Sequence, residues 1–234
     1  MFYMKSLIYI KDLIKAIVPV LKYMILSYLV IFISFLFYNL MGYTDMNKFL
    51  ITYGSYALVL FNIIYIIYLV RKNRILCRKT KPIIPFVMLG IGLSCFCNMI
   101  IIRINISDVV EINKLFLILS SVIVGPIVEE VIFRYVLVGK LEKFNNRIVT
   151  IFLASLIFAL MHNGIINIIY TFILGIILNT IYMKNKNLLY PLIVHSNANL
   201  ITLFLTGFNE YILFISFVLL IISLFIVKRD YLLK

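Results

Sequence analysis

Eight apolar runs follow one another along this chain, with only short polar or charged breaks between them. They lie at 24–42, 49–70, 83–102, 115–139, 148–162, 165–183, 188–207 and 211–227. Most approach the roughly 20 residues that a helix needs to cross the hydrocarbon core of a bilayer. A water-soluble globule could not bury this much apolar surface. Of the 234 residues, 64% are hydrophobic and 13% charged, against about half and about a quarter in soluble domains. A cytosolic enzyme, a disordered chain and a collagen-like chain are excluded together. Lipid offers no hydrogen bonds, so each run must satisfy its own backbone and is expected to be helical. The predicted fold is all-α, a polytopic transmembrane bundle of about eight spans. The fifth run is short, and is expected to tilt or to stop below the far surface.

Charge orients the bundle. The net charge is +13, from 22 Lys and Arg against 9 Asp and Glu. In a soluble chain this excess would suggest nucleic acid; here cytoplasmic loops collecting Lys and Arg explain it, and no nucleic-acid partner is expected. With the N-terminus inside, 18 of the 22 basic residues fall on the cytoplasmic side. Lys48, Arg103 and Lys114 fall outside, and Arg134 sits within a run. Both termini are therefore expected in the cytoplasm of a multi-pass protein of the cell membrane, with lipids as constant partners. Residues 5–22 carry Lys5, Lys11, Lys15 and Lys22 among Leu, Ile and Val. They read equally well as an interfacial helix on anionic lipid or as a solvated lead-in to the first span. No small-residue cleavage site follows an apolar core, so a cleavable signal peptide is not expected. The segment 71–81, with six basic residues, reads as an ordinary topogenic loop. Cys77, Cys95 and Cys97 are an odd set, expected to stay reduced.

Ionisable residues inside the runs are the functional signal. Glu129, Glu130 and Arg134 stand in the fourth run, in Gly125-Pro126-Ile127-Val128-Glu129-Glu130-Val131-Ile132-Phe133-Arg134. His162 ends the fifth, and His195 and Asn199 lie in the seventh. A charge at the bilayer centre costs at least about 2.5–3.5 kcal/mol, so these groups must face a protein interior or a wet cavity. Glu130 and Arg134 are one turn apart on one helix face and can pair. Glu129 points about 100° around the helix from Glu130, and is left as the carboxylate available for chemistry. Counted at 1.5 Å per residue from the cytoplasmic helix ends, Glu129 lies about 15 Å deep, His195 about 11, Asn199 about 16 and His162 about 21. One slab, from the cytoplasmic half to the midplane, is expected to hold them all. A carboxylate, two imidazoles and an amide are the inventory of water activation and oxyanion binding. Pro126 is expected to open or kink the helix just before the glutamates. Asn39, Asn62, Asn98 and Asn179 are read as helix contacts.

The ordered set of Glu129-Glu130-x-x-Phe133-Arg134, Phe158-x-x-x-His162 and His195-x-x-x-Asn199 resembles the CPBP family of intramembrane proteases. That family joins the type II CAAX prenyl endopeptidases to bacteriocin-processing and self-immunity proteins (Abi). The resemblance covers roughly 115–207. It suggests a division into N-terminal membrane helices at 1–110, about three spans with no motif, and a protease core at 111–234. It implies an intramembrane endopeptidase acting on a membrane-associated peptide or protein, and its membrane-embedded site is expected to open to the cytoplasm. Glu129 and His162 would activate water, His195 and Asn199 would hold the oxyanion, and Glu130 with Arg134 would support them from behind. Tyr135 departs from the glycine often found after the arginine, which bears on helix packing. Zinc held by Glu129, His162 and His195 is one reading; there is no HExxH spacing, and a metal-free glutamate–histidine water is slightly preferred. Two other classes stay open: a non-catalytic immunity or peptide-binding protein, and an ion-coupled transporter, which the short chain and lack of repeats disfavour. The composition, rich in Ile, Lys and Asn, suggests a bacterial membrane.

Overall fold

A computed structural model of the chain describes residues 2–41, 45–72, 75, 82–104, 114–205 and 207–229. Cys77, most of the basic segment 71–81 and Lys234 lie outside the described residues. Each of the eight apolar runs becomes one continuous helix, and no strand occurs among the described residues. These are α1 (Phe2–Met41), α2 (46–72), α3 (Ile84–Ile104), α4 (114–141), α5 (Arg147–Ala159), α6 (Ile165–Asn185), α7 (Leu189–Thr202) and α8 (Glu210–Val227). Residues 5–22 belong to the same helix as the first span, so lead-in and span are one rod.

Among the described residues, six helices are long and apolar enough to cross a membrane: α1, α2, α3, α4, α6 and α8. The other two are short. With 13 residues and 14 residues, α5 and α7 reach about 20 Å at 1.5 Å per residue, less than the hydrocarbon thickness of about 30 Å. The fifth run was expected to be short; the seventh was not. Both stop where the chain turns while still apolar. After α5 the turn closes at Gly164, whose φ of +83° is available to glycine without a Cβ clash.

The centre of the bundle is α4, which touches α1, α2, α5, α6 and α7. Two apolar clusters flank it. One gathers Ala16, Val20, Leu69, Val128, Leu137 and Phe158. The other gathers Phe86, Leu89, Leu178, Tyr190, Val194 and Leu220, with the Phe86 and Tyr190 rings stacked 4.5 Å apart. Tyr135 is half-buried and packs against the first cluster. Lipid is as apolar as leucine, so helices associate through close packing rather than through escape from water.

Small residues make that closeness possible. A Cβ on Gly90 would lie 2.6 Å from the Val194 carbonyl of α7, and one on Gly92 would lie 2.9 Å from the Leu220 nitrogen of α8. Two neighbouring glycines thus dock α3 against two different helices. Gly90→Ala should push α7 outward and lower stability by about 1–3 kcal/mol, read as thermal unfolding in detergent. Gly139→Ala, where an added Cβ meets nothing within 4 Å, should leave it unchanged.

Candidate active site

The glutamate pair sits in an unusual stretch of backbone. In α4 a short α-helical segment, Gly125–Glu130, is flanked by π-helical turns at Ile118–Val124 and Val131–Val138. The Gly125 N–H donates to the Ser120 carbonyl five residues back, and a Cβ on Gly125 would sit 2.9 Å from that oxygen. Pro126 has no N–H to give. The helix passes through it by widening, not by breaking. Such π turns recur at functional sites because they shift the register of every side chain beyond them.

Glu130 and Arg134 form a two-pronged pair at the core. Arg134 Nε lies 2.9 Å from Glu130 Oε2 and Nη2 lies 3.3 Å from Oε1. The side chains are 0% and 1% exposed. The third nitrogen, Nη1, donates to Asn179 Oδ1 at 3.1 Å, and Asn179 in turn donates to Ser155 Oγ at 2.9 Å. The guanidinium also lies 4.6 Å from the centre of the Phe158 ring, a favourable seat for a cation. Glu130 Oε1 completes the chain by accepting from His195 Nδ1 at 2.8 Å. A network therefore runs from α5 through α6 and α4 to α7. Every buried charge in it has a partner, which is the condition for tolerating charge in such a place.

This network aims His195. With Nδ1–H given to Glu130, the ring turns Nε2 toward Glu129, whose Oε2 is 3.7 Å away. Glu129 is the freer carboxylate: its side chain is 30% exposed, against 1% for Glu130. His162 lies beyond α5, in the turn that follows it. Its Nδ1 is 3.0 Å from the Phe158 carbonyl. A carbonyl can only accept, so in the neutral ring Nδ1 carries the proton and Nε2 the lone pair. Phe158 is fully buried, and its ring makes edge contacts with both imidazoles, 5.0 Å from His162 and 5.9 Å from His195. Asn199 donates to the Ser121 carbonyl at 2.8 Å, and among the described residues its second amide hydrogen is free.

Glu129, His162, His195 and Asn199 all line one cavity of about 280 Å³. Glu130 and Arg134 stand behind it. Sequence reasoning set Asn98 aside as a helix contact, yet it lines the same cavity with Thr202, Tyr170 and Asn167. Its amide nitrogen is anchored to Ser94 and to Thr202 Oγ1. Nothing in the sequence around Asn98 marks it off from Asn39, which bonds its own helix at Phe35, or Asn62, which accepts from the Tyr23 hydroxyl. Only the packing of α3 on α7 brings it to the site.

Zinc requires at least three ligands. Among the described residues, no three His, Cys, Asp or Glu side chains are grouped closely enough to hold an ion, and Glu130 is committed to Arg134 and His195. As placed, the donors do not fit a zinc centre.

The sequence is similar to known membrane proteases. Residues 111–201 match the model of the type II CAAX prenyl endopeptidase Rce1-like family. The chain is 36% identical to a membrane-embedded CAAX protease, MroQ of Staphylococcus aureus, over 51% of this chain and 56% of that protein. It is 32% identical to a putative membrane peptidase, YdiL of Bacillus subtilis, over 40% of this chain and 38% of that one. The matched region thus spans about half, or less, of the length of these relatives. No solved structure matches the chain.

Proposed function

We propose that this chain is an intramembrane endopeptidase of the CAAX protease family, hydrolysing a peptide bond of a membrane-associated peptide or protein. The observation that carries the reading is the convergence of one accessible carboxylate, two imidazoles and one carboxamide on a single cavity, with a second carboxylate neutralised behind them. Water held between Glu129 and His162 Nε2 loses a proton to this pair as its oxygen attacks the scissile carbonyl. The carbonyl oxygen becomes an oxyanion, facing the free N–H of Asn199 and a protonated Nε2 of His195. For that role His195 must carry protons on both nitrogens, one of them already held by Glu130. The tetrahedral intermediate then collapses, the C–N bond breaks, and the proton taken from water passes to the leaving amine. Burial among lipid-facing helices strengthens each of these interactions by excluding bulk water.

Substrate trapping tests the reading. Glu129→Gln keeps shape and hydrogen bonding but cannot take a proton, so turnover should fall by about 10²–10⁴ while bound peptide accumulates. Mass spectrometry of the cross-linked product then names the substrate. Full turnover by Glu129→Gln would overturn the role of Glu129, whereas an immunity function kept in full by Glu129→Gln with no peptide cleaved would favour a passive peptide-binding or immunity protein. Stoichiometric zinc in the purified protein, with activity lost on chelation, would overturn the metal-free route.

A further inference from the structure

The cavity lies at one end of the bundle, and that end is the one poor in basic residues. Its outer lining comes from the last turns of α3 (Asn98, Ile101), the first turns of α6 (Asn167) and the end of α7 (Thr202, Leu203). The turn holding His162 joins α5 to α6 at the same end. Among the described residues, the basic positions at this end are Lys48, Arg103 and Lys114.

The opposite end is crowded with them. It is formed by the first half of α1 and the C-terminal ends of α2, α4, α6 and α8, which carry Lys15, Lys72, Lys140, Lys186 and Lys228 among others. Contacts tie these segments together in space. Lys140 Nζ donates to the Lys15 carbonyl at 3.0 Å, Tyr9 donates to Asn145 Oδ1 at 3.0 Å, and Lys186 pairs with Glu142. Basic residues flanking spans stay in the cytoplasm, and acidic ones hardly count. The asymmetry is carried by five separate segments, so no single loop decides it.

We propose that the cavity opens toward the extracytoplasmic side, and that its substrate is a peptide segment presented there: an exported peptide, or the outward part of a membrane protein. The sidedness stands on charge and geometry alone; the substrate class rests on the peptidase reading. The expectation of a site open to the cytoplasm assumed helices of full span, with depth counted from their inner ends. Because α5 and α7 stop after 13 and 14 residues, the polar groups at their C-terminal ends face a recess from the other side. Asn163 and Gly207 are exposed at this end, and Lys143 is exposed at the basic end.

Cysteine labelling in intact cells decides the side. In a background with Cys77, Cys95 and Cys97 replaced by serine, Asn163→Cys and Gly207→Cys should react with a membrane-impermeant maleimide before the cells are opened. Lys143→Cys should react only after permeabilisation. The reverse pattern, equal labelling of both ends in intact cells, or labelling of Asn163→Cys and Gly207→Cys only after denaturation overturns the proposal. The peptides held by Glu129→Gln give the second arm. Exported or outward-facing segments support the substrate class, whereas purely cytoplasmic chains overturn it and leave the sidedness standing. Absence of any peptide hydrolysis by the wild-type protein would end the peptidase reading without touching the labelling result.

Discussion

Removing the His162 imidazole, as His162→Ala, should lower peptide hydrolysis by about 10²–10⁴ and leave the fold nearly untouched. The ring sits in a turn, half-buried, and among the described residues its one hydrogen bond runs to the Phe158 carbonyl one turn before it. No other helix loses a polar partner when it goes. The lost function is the Nε2 lone pair, which nothing else in the cavity lining supplies in neutral form. Turnover of the trapped peptide, measured beside thermal unfolding of the same preparation, separates the two effects. Wild-type turnover in His162→Ala would transfer the whole proton transfer to Glu129. Loss of stability in proportion to loss of rate would make the residue structural.

The opposite profile is expected of Arg134→Ala. This guanidinium is wholly buried and engages two carboxylate oxygens, one carboxamide and one aromatic face. Deleting it leaves the buried Glu130 carboxylate with His195 as its remaining partner, a loss of about 3–5 kcal/mol. Lysine is a poor substitute, because a point charge on a flexible stem cannot reproduce a planar fork. Detergent unfolding should therefore rank wild type above Arg134→Lys and that above Arg134→Ala. Pairing Arg134→Ala with Glu130→Gln should cost less than the two changes summed, since each removes the burden the other leaves. Strict additivity would contradict the network.

Much of this arrangement was legible in the residues. All eight helices were, because apolar runs in lipid have one way to satisfy their backbone. So was the Glu130–Arg134 pairing, because four residues is one turn. Helix ends inside the membrane were not. Leu160, Met161, Leu203 and Phe204 are as apolar as the helices they follow, so hydropathy carried the fifth and seventh runs past Ala159 and Thr202, where the helices stop. That error placed His162 on a helix face, whereas it lies in the turn that follows α5. The place of Asn98 was illegible for another reason. It depends on Gly90 letting α3, a helix without any motif, come close to α7, a tertiary fact with no local signature. Phe158 was visible only as the first letter of a spacing, whereas in the fold its ring touches His162, His195 and Arg134.

The wide turns on either side of the glutamates bear on how this stretch can change over generations. A π turn holds the helix in a phase that depends on the residue count between Lys114 and Leu141. One deletion or insertion there would rotate the glutamates by about 100° relative to α7, sending Glu129 toward a neighbouring helix or toward lipid and parting Glu130 from His195. Substitutions along this helix can be filtered one at a time, but changes of length cannot. The turn after α7 and the break between α4 and α5 carry no such phase, and they are where relatives of this chain should differ in length.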